Sequence, residues 1–466
     1  MKFYVTCAIP YVNAPPHVGH ALEFVQGDVI ARYHALLGEE TTLLSGGDEN
    51  ALKNVQAAEK AGVPIQRFVD TNTQIFFDLT RALNCRFDVW QKGSDTKHHF
   101  AASQKLWNLC KKDICKKSYE GLYCVGCEQF YTKNELDTNG QCPEHPGKKL
   151  EMVKEENYFF RLSAYQEQLK KLIVDDTIKI IPDFRKNEML AFLKQPLLDL
   201  SISRTNERAK NWGVPVPGDD SQRMYVWFDA LNIYQSGIGF GWDEKQYNKW
   251  WPADVHVIGK GITRFHAIYW PAFLLSAGLK LPKSIFIHGY FTVNGQKMSK
   301  TVGNVIDPFD LIKKYGADAL RYYLLREIPS TADGDFSEKR FKELYNADLA
   351  NGLGNLVARI AKLCELNTIH IDNTPPVFSA NKYLDQYEFS LALEKIWKDI
   401  KKLDVGINND KPWETKDAGQ IQKYINQLIH ITVSLRPFLP DTAQKILEQF
   451  KGPAIKAMPP LFPRLT

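Results

Sequence analysis

The stretch from Cys7 to His20 constrains the fold more than any other, because it predicts a strand, a turn and a helix in immediate succession. The run Lys2 to Ile9 is rich in β-forming residues and stops at a proline, which is typical of a short buried strand. From Val18 onward apolar residues recur at helical spacing. His17 and His20 therefore stand at the beginning of a helix, where free backbone N–H groups and the helix dipole favour an anion.

Strand-like and helical runs continue to alternate up to about residue 115. Further β-rich runs cover Glu40 to Leu44 and Phe87 to Gln91, and this alternation predicts βαβ units with a parallel sheet. Ligands of such sheets bind at the carboxyl ends of the strands. The second strand runs into Asp48, so we expect its carboxylate beside the histidine turn, where it can hold an ammonium group. The same Gly-Gly-Asp sequence is also ordinary turn chemistry.

Composition limits the class of protein. A chain of 466 residues with 44% hydrophobic and 24% charged residues is typical of a soluble protein of roughly three domains. No apolar run approaches a membrane span and the start lacks an export signal, so we expect a cytoplasmic protein. The net charge of +5 permits a polyanionic partner without requiring one.

Two short knuckles indicate a metal. Cys124 and Cys127 form the first, and Cys142 and His145 form the second. Four such donors suit a closed tetrahedral Zn²⁺ site, which is structural and not catalytic. A freestanding zinc ribbon that binds nucleic acid is the alternative. The knuckles lie between two α/β halves, which favours an insertion.

An aromatic pocket is predicted in the second α/β half, which resumes at Tyr225. A strand from Asp254 to Ile258 leads through Gly259 into a helix. We expect four residues to follow the ends of strands in the same sheet and to line a partly aromatic pocket: Trp227, Tyr234, His266 and Trp270. Aromatic residues at such spacing also occur in ordinary cores.

A second basic motif follows the next strand, Ser284 to His288. The loop 292–305 carries Lys297 and Lys300 among glycines and small polar residues, which suits a mobile lid. Two lysines that face a triphosphate would neutralise charge on the departing pyrophosphate.

Beyond about Gly334 only helical patterns remain, which predicts an α-helical bundle. The helical runs are Phe341 to Leu366, Leu384 to Asp404 and Ala418 to Leu435. Asn351, Asn355 and Arg359 recur every four residues and so form one polar stripe. Such a stripe is usually a solvated face, but with Trp413 it can read unstacked bases.

With its HVGH sequence (17–20) and its KMSKT sequence (297–301), the chain resembles the class I aminoacyl-tRNA synthetases over essentially its whole length. The interval between the two motifs is too short for the editing insertion of the valine, isoleucine and leucine enzymes. The zinc knuckles resemble those of the methionyl-tRNA synthetase family. This resemblance implies a class I Rossmann-like, doubly wound parallel sheet with a zinc-binding insertion, followed by an all-α helical bundle.

The implied organisation has four parts. We expect the first half of the catalytic domain at 1–115, the zinc-bearing insertion at 116–222 with its knuckles at 124–145, the second catalytic half at 223–333, and an anticodon-binding helical domain with the C-terminal tail at 334–466. The ending LFPRL resembles the end of the family's conserved core. This implies that the dimerising module of some members is absent and predicts a monomer.

The resemblance also implies the roles of individual residues. Catalysis falls to His17, His20, Lys297 and Lys300. ATP binding uses these four together with Gly19, Glu23, Gly259 and Met298. Methionine binding uses Ile9, Tyr11, Asp48, Trp227, Ala230, Tyr234, His266 and Trp270. The structural zinc ion is held by Cys124, Cys127, Cys142 and His145. The CAU anticodon is read by Asn351, Asn355, Arg359 and Trp413.

The implied reaction is the ATP-dependent ligation of L-methionine to tRNA(Met) through a methionyl-adenylate, with Mg²⁺ accompanying ATP. Gly261 replaces an aspartate that in the family helps to bind the ribose, which shifts weight to Glu23 and Gly259. Asn50 and Ala51 stand where histidine and glycine are usual, and Val18, Thr301 and Leu231 are smaller departures. The alternatives are an inactive RNA-binding paralogue, a class I synthetase for another amino acid, and a nucleotidylyltransferase of the same α/β family.

Overall fold

The computed structural model describes residues 1–124, 129–131, 135–143, 147, 150–298, 303–367, 378, 380–452 and 454–465, with the backbone alone described at 119, 129, 130 and 297. Among these residues, no helix combines the length and the apolar character that crossing a bilayer requires. The predicted ligands Cys127 and His145 and the predicted catalytic Lys300 lie outside the described residues.

The strands of the described residues belong to four sheets. They are β1 (Lys2–Cys7), β2 (Glu40–Gly47), β3 (Val89–Lys92), β4 (Ile114–Cys124), β5 (Gln129–Tyr131), β6 (Glu151–Phe160), β7 (Lys179–Ile181), β8 (Leu200–Ser201), β9 (Ser203–Thr205), β10 (Pro215–Val216), β11 (Asp219–Met224), β12 (Val255–Gly259), β13 (Ser284–His288), β14 (Phe291–Val293), β15 (Gln296–Lys297) and β16 (Gly334–Phe336).

The α-helices of the same residues cover both faces of the main sheet and most of the C-terminal third. They are α1 (Val18–Leu36), α2 (Leu52–Ala61), α3 (Ile65–Ala82), α4 (His99–Cys110), α5 (Gln166–Val174), α6 (Asp183–Phe192), α7 (Asn206–Ala209), α8 (Val226–Ala230), α9 (Ile233–Ser236), α10 (Glu244–Trp250), α11 (Trp270–Ala277), α12 (Pro308–Tyr315), α13 (Ala317–Arg326), α14 (Glu338–Leu344), α15 (Asn355–Asn367), α16 (Phe389–Asp410), α17 (Pro412–Thr415), α18 (Ala418–Leu435) and α19 (Pro440–Gln449).

The main sheet has the order β3-β2-β1-β12-β13-β7 and all of its pairings are parallel. From β1 the chain forms β2 and β3 toward one edge of the sheet, and from β12 it forms β13 toward the other edge. β1 and β12 therefore flank the point where the strand order reverses. Ligands of open parallel sheets bind in the crevice at this point. The predicted parallel sheet is confirmed, and its edge strand β7 was too short to be found from the sequence pattern.

Alternate residues of the central strands face two separate apolar layers. Val5 and Val257 point toward α1, whereas Tyr4 and Ile258 point toward α8, α9 and α11. α1 lies close to β1, because a Cβ atom at Gly27 would lie 2.3 Å from the sulfur of Cys7. The layer on the α1 side is continuous with the apolar face of α15, α16, α18 and α19, so the C-terminal helices share a core with the main sheet.

One feature of the predicted pocket layout is wrong. The run from Tyr225 to Tyr234 forms the short helices α8 and α9, which follow β11 of a separate antiparallel sheet in the order β10-β11-β9. Trp227 and Tyr234 therefore do not follow strands of the main sheet. A continuous buried apolar run cannot be assigned to strand or helix from its pattern.

The predicted C-terminal helices are present with shifted boundaries. The run from Phe341 to Leu366 comprises α14, a π-helical segment at Tyr345–Gly354, and α15. The run predicted from Leu384 to Asp404 begins and ends later in the structure, as α16. The run predicted from Ala418 to Leu435 coincides with α18. α16 and α18 pack against each other, as do α15 and α18.

A fully buried ion pair joins α1 to the C-terminal helices. Nη2 of Arg321 lies 2.7 Å from a carboxylate oxygen of Asp28, and both side chains are inaccessible to solvent. The same guanidinium donates to the carbonyls of Leu83, Pro437 and Phe438 at 3.2, 2.9 and 2.7 Å. The Asp28 carboxylate balances the charge and the carbonyls accept the N–H groups, and a buried guanidinium needs both kinds of partner in an apolar core.

We predict that Arg321→Met lowers the free energy of unfolding by about 3 to 5 kcal/mol, because it removes the fully buried partner of Asp28, which keeps only the partly buried Arg32, and leaves buried carbonyls without their donor. The measurement is urea denaturation followed by circular dichroism. Arg340→Met removes a half-exposed pair with Glu327 and serves as the control, with an expected loss below about 1 kcal/mol. Equal losses in the two variants would contradict this assignment.

Candidate active site

The two histidines of the first motif hold the beginning of α1 in place. Nδ1 of His17 accepts a hydrogen bond from the backbone N–H of Gly19 at 3.1 Å, and Nδ1 of His20 accepts from the backbone N–H of His17 at 3.1 Å. When Nδ1 accepts, the proton of a neutral imidazole resides on Nε2. Both rings therefore offer an Nε2–H donor, and their centroids are 4.0 Å apart.

The backbone amides at this helix start are already engaged. The N–H of Val18 donates to the carbonyl of Ile306 at 3.1 Å, and the N–H groups of His20 and Ala21 point to the carbonyl of His17. The expected anion site of free backbone N–H groups is therefore wrong for these residues, because the histidine side chains and the chain near Ile306 use the donors. The helix dipole at this start still favours an anion.

Gly19 is required for this arrangement. A Cβ atom at this position would lie 2.9 Å from Cε1 of the His17 ring, so a side chain here would displace the ring.

Burial is the largest cause that lowers the pKa of His20 well below its usual value, and the neighbouring His17 and His288 add to it. His20 is therefore a neutral hydrogen-bond donor at pH 7.

The structure brings the second motif to the first. β14 and β15 form a hairpin that ends at Lys297, and Met298 packs against the core that contains Val18. Ile306 accepts from the N–H of Val18, and a Cβ atom at Gly19 would lie 3.9 Å from the ring of Phe291 on β14, so the chain before and after the second motif reaches the histidine turn. This backbone placement agrees with the prediction that the two motifs share one site.

Glu23 and Gly259 lie next to a residue that the sequence pattern did not single out. Nε2 of His288 is 2.9 Å from a carboxylate oxygen of Glu23, and Nδ1 of His288 is 2.8 Å from the carbonyl of Gly289. Gly259 and His288 are register neighbours on β12 and β13. The position of His288 at the carboxyl end of a strand was the signal that could have identified it.

Asp48 stands at the carboxyl end of β2 and is buried. Its backbone N–H donates to the carbonyl of Pro10 at 2.9 Å, and it forms an isolated parallel bridge with Tyr11. The loop that follows β1 and the loop that follows β2 are therefore joined side by side. Asp48 thus lies beside the loop that leads from β1 to the first motif, and its proximity to His17 and His20 stays a prediction.

Rings from three segments meet above the sheet. Tyr11 and Trp227 are in edge contact at 6.1 Å, and Trp227 stacks on Phe265 at 3.8 Å. Trp227 also contacts His266 at 6.4 Å. Ala230 is buried one turn after Trp227, and Ile9 packs at the edge of the same apolar layer.

The hydrogen bonds of His266 determine where its proton resides. Nδ1 of His266 donates to the carbonyl of Ile262 at 3.0 Å, so Nε2 accepts the proton of the Tyr234 hydroxyl at 2.8 Å. Burial lowers the pKa of His266 to about 4, so the ring is neutral at pH 7. Consequently the Tyr234 oxygen presents lone pairs, and no proton, to anything else that approaches it.

Trp270 is fully buried and packs against Trp251 with ring centroids 6.0 Å apart. A π-helical segment at Phe265–Tyr269 lies between Trp270 and the preceding turn. The predicted contact of Trp270 with the substrate stays a prediction.

The unusual Asn50 has a defined structural role. Its Nδ2 donates to the carboxylate of Asp229 at 2.6 Å and to the carbonyl of Gly93 at 2.8 Å. It thereby joins the loop that carries Asp48 to α8. Gly261, the other departure, lies in a short 3₁₀ turn at Lys260–Ile262.

The predicted zinc site is described only in part. Cys124 and Cys142 are buried and belong to one small cluster with Tyr131, which agrees with two ligands from two knuckles at one point. Within the described residues no group of three metal-ligating side chains is found, and Cys127 and His145 lie outside them.

The predicted polar stripe forms the wall of a depression of about 380 Å³ lined by Asn351, Asn355, Ala358, Arg359, Lys362 and Asp404. Arg359 donates to Asp404 at 2.6 Å and to Asn408 at 2.8 Å, and its guanidinium lies 6.0 Å from the ring of Trp413. Trp413 is 45% exposed. Arg464, which was not predicted here, donates to Asn351 at 2.7 Å.

A family model described as tRNA synthetases class I (M) matches residues 3–151 and 144–361 of this chain. The chain belongs to this family, the class I methionyl-tRNA synthetases. Its sheet is accordingly the class I Rossmann-like sheet, and the family resemblance expected from the two motifs is confirmed.

Relatives with known names match this chain along most of its length. The Methionine--tRNA ligase of Thermotoga maritima is 39% identical over 479 residues, which cover 96% of this chain and 75% of the relative. The corresponding protein of Brucella melitensis is 39% identical over 98% of this chain and 93% of its own length. The solved methionyl-tRNA synthetase of Mycobacterium tuberculosis in complex with methionyl-adenylate is 36% identical, with a TM-score of 0.92 and coverage of 99% and 100%.

The lowered pKa of His266 predicts a pH dependence of stability. In the unfolded chain histidine titrates near pH 6.5, so between about pH 6.5 and 4 the unfolded state binds the proton that the folded state does not, and the free energy of unfolding falls as the pH falls. We predict that His266→Gln reduces this slope by up to about 1.4 kcal/mol per pH unit. Urea denaturation between pH 4 and 7 measures it.

His430→Gln, at an exposed position of α18, is the control and should keep the wild-type slope. A wild-type slope in His266→Gln as well would show that the ring does not gain a proton upon unfolding.

Proposed function

We propose that this chain activates L-methionine with ATP and transfers it from methionyl-adenylate to tRNA(Met). The observation that carries the proposal is the hydrogen bond between the histidine turn and Ile306, which follows the second motif, in a chain that the family model of class I tRNA synthetases matches. The relatives named above carry the matching activity in their names.

Asp48 holds the ammonium group of methionine in this proposal, because it is a buried carboxylate beside the β1 loop. The methionine carboxylate then attacks the α-phosphorus of ATP, a new P–O bond forms, and the bond to pyrophosphate breaks. Since the substrate supplies its own nucleophile, the protein contributes position and electrostatics.

The Nε2–H groups of His17 and His20 donate to phosphate oxygens on which negative charge grows in the transition state. Their Nδ1 atoms are held by the backbone, so these donors are preorganised and need no reorientation during the reaction. Lys297 and Lys300 neutralise the departing pyrophosphate. Mg²⁺ that accompanies ATP supplies further neutralisation when it is bound.

The side-chain pocket separates methionine from other amino acids. In the proposal the backbone N–H at Ile9 and the hydroxyl of Tyr234 approach the thioether, while Tyr11, Trp227, Ala230, His266 and Trp270 define the shape. Polar contacts are needed because apolar contact alone discriminates poorly between side chains of similar size. On the ATP side we assign Gly19, Glu23, Gly259 and Met298 to the nucleotide.

We predict that Lys300→Ala lowers methionine-dependent aminoacylation of tRNA(Met) by at least about a hundredfold, because it removes a charge that is needed only in the transition state. Methionine binding in equilibrium dialysis should remain within about twofold of wild type, since the proposal assigns Lys300 to the pyrophosphate and not to the amino acid. Lys313→Ala, on the exposed face of α12, is the control. Full activity in Lys300→Ala would refute the proposed role.

Transfer of methionine to the tRNA also requires that the enzyme recognise this tRNA, outside the pocket that holds the adenylate. We propose that the depression lined by Asn351, Asn355 and Arg359 receives anticodon bases and that Trp413 stacks on one of them. Asp404 and Asn408 hold the Arg359 guanidinium in one plane, which suits a bidentate contact with a base edge. By analogy with class I enzymes the terminal 2′-OH of the tRNA loses its proton and attacks the carbonyl carbon of the adenylate, an ester bond forms, and the bond to the phosphate breaks so that AMP leaves.

We predict that Trp413→Ala lowers kcat/KM for tRNA(Met) about 5- to 150-fold, the range expected for the loss of one base–aromatic stack. ATP–pyrophosphate exchange should stay unchanged, because that half-reaction does not use the anticodon. Trp413→Phe keeps a stacking ring and is the matched control. Parallel losses in exchange and charging of the Ala variant would place Trp413 outside an anticodon site.

We further propose one structural Zn²⁺ held by Cys124, Cys127, Cys142 and His145, as the donor types and the shared burial of Cys124 and Cys142 support. The ion would join the two knuckles within the insertion 116–222, between the catalytic halves 1–115 and 223–333. The anticodon domain then covers 334–466, and a cytoplasmic location suits reduced zinc-binding cysteines.

A further inference from the structure

A buried histidine with no assigned role lies under the side-chain pocket. His256 is in the middle of β12, next to β1, and is fully inaccessible to solvent. Its ring centroid is 4.6 Å from that of Tyr234 and 6.0 Å from that of His266. The three rings are mutually in contact. Tyr234 touches the ring of His256 and also that of His266, which accepts its hydroxyl proton.

The orientation of the His256 ring is set by β1. The Thr6 hydroxyl lies 2.5 Å from Nδ1 of His256. If the Thr6 hydroxyl donates to Nδ1, only the Nε2–H of His256 lacks a partner. If Nδ1–H donates to Thr6, both the unprotonated Nε2 and the hydroxyl hydrogen of Thr6 lack one. The first arrangement is therefore favoured, and it places the ring proton on Nε2.

Nε2 of His256 is buried and has no hydrogen-bond partner among the residues that the structure describes. Burial, together with the nearby His266, lowers the pKa of His256 well below its usual value, so the ring is neutral. A phenylalanine would fill this space without an unsatisfied polar atom, whose burial destabilises the fold. A histidine here therefore needs a reason other than packing.

Tyr234 supplies that reason, because each of its parts is fixed by a different group. Its backbone carbonyl accepts from the Tyr4 hydroxyl at 2.6 Å, and its own hydroxyl donates to His266. The ring face, which neither bond restrains, lies against His256. Tyr4, Thr6 and His256 all belong to β1 and β12, so the central pair of strands determines where the Tyr234 oxygen lies.

We propose that His256 is a positioning residue for substrate selectivity: its ring, anchored by Thr6, holds Tyr234 so that the pocket distinguishes a thioether from the isosteric methylene group. This inference rests on the proposed function, since it presumes that methionine occupies the pocket. Norleucine, in which a methylene group replaces the sulfur atom, is the matched probe.

The test is ATP–pyrophosphate exchange with methionine and with norleucine, for the wild-type chain, His256→Phe and Thr6→Val. His256→Phe keeps a ring but loses its anchor, and we expect the ratio of kcat/KM for methionine over norleucine to fall about tenfold, the scale of one lost positioning contact. The KM for ATP should stay within about twofold of wild type. Thr6→Val keeps the shape of Thr6 and should lower the ratio in the same direction by a smaller factor.

Tyr33→Phe removes a buried hydroxyl that bonds to Asp385 on the opposite side of the sheet, and it controls for general destabilisation with an unchanged ratio. Equal losses for methionine and norleucine in both test variants would reduce His256 to a packing residue and overturn the inference. If His256→Phe fails to fold, Thr6→Val decides alone. A wild-type chain that shows no methionine-dependent exchange would refute the proposed function, which is a separate result.

Discussion

The parallel pairing of β1 with β12 is the constraint on which the rest of the site depends. In the register that aligns Val5 with Val255, the two strands end side by side while the chain continues to opposite edges of the sheet. A crevice opens at their carboxyl ends because the connecting helices depart in opposite directions. Asp48, Gly259 and His288 lie at or just beyond the ends of β2, β12 and β13, and the loop 8–17 leads from the end of β1 to His17.

The first motif combines structural and chemical roles in the same two side chains. His17 and His20 satisfy backbone amides that a helix start would otherwise leave without partners, and this use of Nδ1 leaves Nε2–H as the outward donor. The two histidine rings are thus fixed by the helix cap itself. Replacing either histidine therefore disturbs the helix start as well as the chemistry, and effects of such variants on activity combine both.

Much of this site was predictable because it depends on local patterns. The strand–turn–helix at His17, the carboxylate after the second strand and the polar stripe of Asn351, Asn355 and Arg359 follow from spacing along the chain. Other parts depend on tertiary contacts that leave no periodic signal. The Ile262 carbonyl that orients His266, the Thr6 hydroxyl that anchors His256 and the Arg321 pair belong to this second class.

The wrong assignment at Tyr225–Tyr234 has the same origin. This segment is buried on every side between the sheet and the insertion, so its apolar run carries no period from which a helix could be distinguished from a strand. The expected free amides at the start of α1 failed for a related reason: the group that occupies the Val18 N–H is Ile306, nearly 300 residues later in the chain.

The measurement that tests the central claim most directly is amino-acid-dependent exchange of labelled pyrophosphate into ATP, without tRNA, with methionine, leucine, isoleucine, valine and cysteine offered separately. A site at the end of β1 and β12 that activates methionine predicts exchange with methionine and at most traces with the other four. Exchange with another amino acid in preference to methionine would contradict the proposed pocket, and no exchange with any of the five would contradict the proposed chemistry.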